Sequence, residues 1–314
     1  MRAHLYTDWR SIPSEARGAA AALGNFDGVH LGHAHLVHTL HLSQPDVPLA
    51  VVTFEPHPRE LFRPEDPPFR LTLADERFAA LAALGVQHVF QIAFDEAFSR
   101  MPAERFIDDV LHDALGVKHI ACGHDFAFGY RRGGTTSFLA ERASELGIGV
   151  NLVPALADAD GPYSSTRIRR LLQDGYPERA AAELGRPWSI RGEVCHGDKR
   201  GRLLGFPTAN VRLGRHLEPA RGVYTTTVRL PDGRTCDGVA NIGRRPTIAD
   251  GSESRMEVHI FDFSEDLYGQ TISVALHDLL RPEKKFESLD ALKQQIASDT
   301  EQARLLLQNR RDNQ

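Results

Sequence analysis

Two imidazoles three residues apart, His30 and His33, end the segment at residues 24–33, GNFDGVHLGH. Gly24, Gly28 and Gly32 punctuate it. Backbone without a Cβ can approach an anion closely, and a helix start presents N–H groups that lack an intrahelical acceptor. Imidazoles beside such a start suit the charge that builds on a phosphoryl group in its transition state. His35, His38 and His41 continue the series at helical spacing, but no carboxylate or thiol stands at a ligand spacing beside them, which favours phosphate handling over a metal site. Residues 163–169, YSSTRIR, offer a second helix start, with Ser164 or Ser165 as cap and Thr166 and Arg169 one turn apart. Hydroxyls at a helix start followed by a cation form another phosphate clamp.

A third constellation lies at residues 197–210, GDKRGRLLGFPTAN. Gly197, Gly201 and Gly205 recur every four residues around Lys199, Arg200 and Arg202, a loop suited to wrapping ATP phosphates, although no Walker-type G-K-[ST] follows. Thr208 and Asn210 are two apart, so in an extended strand they share a face and offer hard oxygens to Mg²⁺. In residues 256–263, MEVHIFDF, Glu257 shares a strand face with His259, Phe261 and Phe263. A carboxylate in partly dry company suits a general base; the competing reading, a solvated barrel face, stays open at this point.

The elements that must position these groups fall into two styles. Up to about residue 185, short apolar runs (19–23, 49–54, 88–94, 119–123, 150–156) alternate with helical patterns (31–42, 73–84, 103–115, 137–146), the signature of a parallel sheet covered by helices. From residue 188 onward, period-two segments at 190–194, 222–230, 236–242, 256–263 and 271–279 are broken by Gly and Pro, which predicts an antiparallel barrel. A final amphipathic helix is expected from Ser288 to about Asn309, capped by Ser288. The boundary is set at 185, giving domains 1–185 and 186–314. The 314 residues are enough for two domains, with 41% hydrophobic and 25% charged residues. A net charge of −5 advertises no nucleic-acid or anionic-membrane partner. Cys122, Cys195 and Cys236 form no C-x-x-C pair, the start carries no apolar leader core, and no apolar run is long enough to span a bilayer. The expectation is a cytoplasmic chain.

GNFDGVHLGH and SSTRIR resemble the two signature motifs of the nucleotidyltransferase superfamily in its FMN adenylyltransferase branch, and TFEPHPRELF at 53–62 and GHDFAFG at 123–129 are similar to that branch's own motifs. The resemblance implies that the FMN phosphate attacks the α-phosphorus of ATP, with pyrophosphate leaving. His30 and His33 would stabilise the transition state, with Arg169 as a further catalytic group. Gly24, Phe26, Asp27, Gly28 and Gly32 would line the ATP site, and Ser165, Thr166 and Arg169 would hold the β- and γ-phosphates. Pro56, Pro58, Phe62, Asp125 and Phe128 would border the flavin or adenine. The chain departs from the branch at Ala127, where a basic residue is frequent, and at Tyr163, where an aliphatic one is usual.

Nearly all of residues 185–306 resembles bacterial-type riboflavin kinase, most specifically at GFPTAN and EVHIFDF. The implied fold is a six-stranded Greek-key barrel. Gly197, Lys199, Gly201, Arg202, Gly205 and Pro207 would serve ATP, Thr208 and Asn210 would hold Mg²⁺, and Glu257 would take the proton of the ribityl 5′-hydroxyl. Together the two resemblances identify a bifunctional riboflavin kinase/FMN adenylyltransferase family: riboflavin, FMN and ATP as substrates, Mg²⁺ as cofactor, no nucleic acid and no membrane. Two other readings are a tRNA synthetase, since His-x-Gly-His occurs there, and a flavin-binding regulatory protein or a nucleotidyltransferase with only one working site. The negative charge counts against the first, and the intact set of His30, His33, Arg169, Thr208, Asn210 and Glu257 against the second.

Overall fold

The computed structural model describes residues 3–197, 205–247 and 251–312, the side chains of 244–247 and 251–253 excepted. The chain forms two compact units, 1–67 with 72–164, and 68–71 with 165–314. The change in sequence pattern falls near residue 185, whereas packing divides the chain at Ser164/Ser165.

The first unit is built on a six-stranded parallel sheet ordered β1-β4-β3-β2-β5-β6. Its strands are β1 (His4–Tyr6), β2 (Ala20–Leu23), β3 (Leu49–Glu55), β4 (His88–Ala93), β5 (His119–Gly123) and β6 (Gly149–Val153). β2 reads AAAL and is wholly buried, as is β3 up to Phe54; continuous apolar runs of this kind belong to strands covered on both faces. β1 joins only as a three-residue edge paired to β4, too short and polar to leave a sequence signal. The helices Leu31–Ser43, Ala74–Ala83 and Thr136–Glu145 follow the expected patterns. The helix expected at 103–115 opens as Ala103–Arg105 and continues in the wider π form over Phe106–Ala114. A two-residue hairpin, β7 (Ala157–Asp158) and β8 (Gly161–Pro162), ends the unit. β2 lies between β3 and β5, so the strand order reverses at its carboxyl end, the place where open α/β sheets take their ligands.

The second unit is a closed antiparallel barrel ordered β10-β13-β12-β11-β14-β9. Its strands are β9 (Trp188–Cys195), β10 (Ala209–Arg212), β11 (Gly222–Arg229), β12 (Thr235–Thr247), β13 (Gly251–Ile260) and β14 (Thr271–Pro282). Alternate residues fill it: Ile190, Val211, Tyr224, Ile242, Met256, Val258 and Val274 are each buried in one core, the inward half of a period-two pattern. The helices Ser165–Gln173 and Pro177–Leu184 add Ile168, Leu172 and Leu184 to the same core, as does Leu71. The last helix, Leu289–Asp312, starts as expected, with the Ser288 Oγ accepting from the Ala291 N–H at 3.1 Å. It sets Ala303 and Leu307 against Val223, Val239 and Phe261 on the barrel's outside. Asp290 in its first turn and Arg310 and Arg311 in its last complement the helix dipole.

Candidate functional site

The loop from Gly24 to His30 joins β2 to the Leu31–Ser43 helix at the switch point of the first sheet. It is tightly wound: Phe26 has φ 52°, Gly28 φ 87° and Val29 φ 44°. Left-handed backbone is costly for a β-branched residue and persists only where the surroundings fix it. The surroundings here are a dense set of bonds. Asp27, only 1% exposed, accepts through Oδ1 from the Thr72 N–H at 3.0 Å, and the Thr72 hydroxyl accepts from the Gly28 N–H at 3.0 Å. The Thr53 hydroxyl donates to the Asn25 carbonyl at 3.1 Å. Arg77, 1% exposed, donates to the same carbonyl at 3.5 Å, to Glu55 at 2.9 Å and to Gln91 at 3.1 Å.

His30 and His33 cap the helix reciprocally. Nδ1 of His30 accepts from the N–H groups of Gly32 (3.1 Å) and His33 (3.4 Å), while Nδ1 of His33 accepts from the His30 N–H at 3.3 Å. An accepting Nδ1 places the proton of a neutral imidazole on Nε2, so each ring carries its donor at the far end. The rings stack at 3.7 Å between centroids, and His33 also meets Phe26 at 4.9 Å. A Cβ on Gly32 would lie 3.0 Å from the His30 ring and 3.3 Å from the Tyr163 carbonyl, which explains the glycine between the two histidines.

The other residues singled out in the first half are placed unequally. Phe26 is wholly buried, and the Asp27 carboxylate is turned into the protein, so neither side chain stands on the loop's surface. Phe128 is buried against Phe106 and Phe126. Pro56 and Asp125 are exposed and Pro58 half-buried. Phe62, 63% exposed, stands on the wall of a groove of about 390 Å³ with Leu61, Glu96, Ser99, Arg100, Tyr130 and Arg131. Thr72 and Arg77 escaped the sequence reading. The available signal was Arg77 on the apolar stripe with Leu81, a cation buried only if paired.

Ser165 and Thr166 open their helix in the second unit. Arg169, one turn on, donates through Nε to the Phe69 carbonyl at 2.8 Å and lies 5.3 Å over the Phe69 ring, which holds the guanidinium plane.

On the barrel, register does the positioning. Asn210 on β10 is directly opposite Glu257 on β13, and Glu257 is directly opposite Asn241 on β12. Directly paired residues share a face with Cβ atoms about 4.5–5.5 Å apart. Amide, carboxylate and amide thus form one row on the barrel's outer face. Thr208 is one step along from Asn210, beside His259, whose Nδ1 lies 2.9 Å from the Pro207 carbonyl. Thr208 and Pro207 also border a cavity of about 450 Å³ with Phe263, Glu265, Asp266 and Tyr268 at the barrel mouth. Gly197 has a steric reason to be glycine, since a Cβ there would lie 2.4 Å from the Asn210 amide. Gly205 takes φ 88°. Lys199, Gly201 and Arg202 lie outside the described residues. The dry setting expected for Glu257 is not formed: Phe261 is covered by the last helix, but Glu257, four residues back on the same face, is exposed. Asn241 was missed because GVANIG reads as an apolar strand with one polar interruption.

Residues 12–167 match the family model of FAD synthetase, and residues 184–307 that of riboflavin kinase. The chain is 43% identical over 299 residues to the bifunctional riboflavin kinase/FMN adenylyltransferase of Pseudomonas fluorescens, covering 94% of this chain and 95% of that protein. It is 42% identical to the protein of the same description from Escherichia coli K12, covering 91% and 92%. A crystal structure described as a macrolide-efflux protein from Streptococcus pneumoniae superimposes with a TM-score of 0.86 at 33% identity, covering 96% of this chain and 98% of that one. Among the described residues of this chain, no helix is long and apolar enough to cross a membrane.

Proposed function

The chain belongs to the bifunctional riboflavin kinase/FMN adenylyltransferase family, and on that premise we propose which of its residues carry each reaction. The protein phosphorylates riboflavin to FMN with ATP and transfers the adenylyl group of a second ATP to FMN, giving FAD and pyrophosphate. The described barrel residues carry the first reaction and the β2–helix loop the second.

In the kinase reaction, Glu257 accepts the proton of the ribityl 5′-hydroxyl as that oxygen attacks the γ-phosphorus, and ADP leaves. The observation that carries this reading is the direct cross-strand pairing of Asn210 with Glu257. The side chains of Thr208, Asn210 and Glu257 make no hydrogen bond or ion pair within the described protein, so their oxygens are available to a ligand. Hard, unspent oxygens on adjoining strands fit a Mg²⁺ ion, which would neutralise charge on the transferring phosphoryl group. In the adenylyl transfer, the Nε2–H groups of His30 and His33 stabilise charge on the α-phosphoryl oxygens, held in place by the backbone N–H groups that their Nδ1 atoms cap. Ser165, Thr166 and Arg169 are assigned to the β- and γ-phosphates. Pro56, Pro58, Phe62 and Asp125 are assigned to the flavin side.

Glu257→Gln tests the kinase assignment. It keeps size and hydrogen-bonding reach but cannot take the proton, so riboflavin phosphorylation falls by roughly 10²–10⁴ in turnover. Conversion of supplied FMN to FAD stays at the wild-type rate. Near-normal phosphorylation by this variant would leave Glu257 a surface residue of the barrel.

A further inference from the structure

We propose that Asn241 binds the secondary hydroxyls of the ribityl chain and so positions riboflavin's 5′-hydroxyl at Glu257. The inference rests on the reading of Glu257 as base and extends it across one more strand. Glu257 has two direct neighbours on the outer face, Asn210 on β10 and Asn241 on β12. The β10 side is the metal and phosphate side, because Thr208 and Asn210 stand there. The acceptor alcohol must then reach Glu257 from the other side, along β12, and the first side chain it meets is Asn241.

Asn241 is suited to that place. It is half-buried, and its amide makes no side-chain hydrogen bond to the described protein. Beneath the last helix, polar groups are spent on one another: the Thr225 hydroxyl donates to Asp278 at 2.9 Å, and Arg310 pairs with Asp278 at 3.0 Å. Asn241, like Asn210 and Glu257 beside it, is unspent, and a half-buried amide in that state is open to a ligand that completes it. A carboxylate stands close beside it: a Cβ on Gly243 would lie 3.6 Å from the Asn241 Nδ2 and 2.6 Å from a carboxylate oxygen of Glu283, whose side chain has no hydrogen-bond or ion-pair partner among the described residues. An amide with a carboxylate close by offers both donors and acceptors, the combination that vicinal hydroxyls satisfy. Neighbouring strands are about 4.8 Å apart, so a polyol whose end lies at Glu257 runs its inner hydroxyls past Asn241.

The test is steady-state phosphorylation by full-length Asn241→Ala with two acceptors, riboflavin and a flavin lacking one secondary ribityl hydroxyl. The expected result is a KM for riboflavin raised roughly tenfold, the scale of one lost hydrogen bond to an uncharged partner, with kcat within about threefold and the KM for ATP unchanged. The wild type prefers riboflavin over the deoxy analogue, and the variant largely loses that preference. FMN-to-FAD conversion and the thermal midpoint, both expected to be unaltered, show that the chain is folded. An unchanged KM for riboflavin, a preference kept in full, or equal rises in both KM values would each overturn the proposal. Glu257→Gln run in parallel separates the two readings: wild-type turnover there removes the base, whereas the Asn241 assignment stands or falls on riboflavin KM and acceptor preference.

Discussion

The two regions to which the reactions are assigned above are organised in opposite ways. In the first unit the residues of the Gly24–His33 loop are bound to one another: His30 and His33 cap each other's backbone, Asp27 is held by Thr72, and Asn25 by Thr53 and Arg77. In the barrel, Asn210, Glu257 and Asn241 are set side by side only by strand register, and their side chains bond nothing in the described protein. A loop at the end of a strand has no ladder to hold it, so its functional groups also serve as its scaffold. A barrel wall is already rigid through its closed hydrogen-bond ladder, so the polar side chains of this row carry no structural bonds. Substitutions should therefore cost stability and activity together in the loop, and activity alone on the barrel.

The comparison presumes that each unit is its own body, and truncation is the strongest way to break it. Ile168, Leu171, Leu172 and Leu184 lie in the core that holds Trp188 and Ile190, although they precede the change of sequence pattern. A fragment of residues 165–314 keeps them, and one of residues 186–314 does not. Each buried side chain of this size is worth about 1.5–3 kcal/mol, so the shorter fragment should be several kcal/mol less stable by urea unfolding. The longer one should phosphorylate riboflavin without making FAD. Equal midpoints for the two would place the unit boundary at residue 185 after all.

His30 sharpens the contrast at the level of one side chain. His30→Ala should lower FAD formation by roughly 10²–10³, the scale of a lost transition-state donor, and also cost about 1 kcal/mol through the missing cap. His30→Asn separates the two losses, because an Asn oxygen can accept at the helix start where Nδ1 does, while nothing replaces the Nε2–H. The Asn variant should regain the thermal midpoint and remain inactive in adenylyl transfer, with riboflavin phosphorylation intact in both. Recovery of FAD formation by the Asn variant would reduce His30 to a cap.

These contrasts also explain what the sequence could disclose. The β2 loop was legible because Gly, His and a helix start are local signals, and the three-residue spacing of His30 and His33 survives as a stacked pair. The barrel strands were legible from alternation, and the capping of the last helix from Ser288. Partners brought by tertiary packing were not. Thr72 reaches Asp27 across 45 residues and Arg77 reaches Asn25 across 52, distances no local pattern spans. Asn241 needed register, which period two alone leaves undetermined. The exposure of Glu257 beside a covered Phe261 depends on where the last helix ends its cover, and that is set by its contacts with Val223 and Val239.

The smallest expected effect tests whether the barrel is as insensitive to its polar groups as the comparison implies. His277 on β14 is buried, with Nε2 3.0 Å from the Thr227 hydroxyl and Nδ1 without a partner. Burial lowers its pKa, and the Arg310 charge lowers it further, against opposing contributions from Asp278 and Asp237. Protonation would bury a second N–H with no acceptor. In the unfolded chain the imidazole titrates near its ordinary value of about 6.5. As the pH falls, the unfolded state therefore binds this proton first, and stability rises with pH wherever the unfolded state holds more protons. The contribution of His277 is thus fully present above pH of about 6.5 and is lost as the pH falls towards the lower folded value. His277→Gln keeps a hydrogen bond to Thr227 and does not titrate, so the gap between variant and wild type in urea unfolding should change as the pH falls below about 6.5 and stay constant above it. A gap that is flat across that range would mean that His277 is solvated on protonation, and that the barrel wall opens there more readily than its ladder suggests.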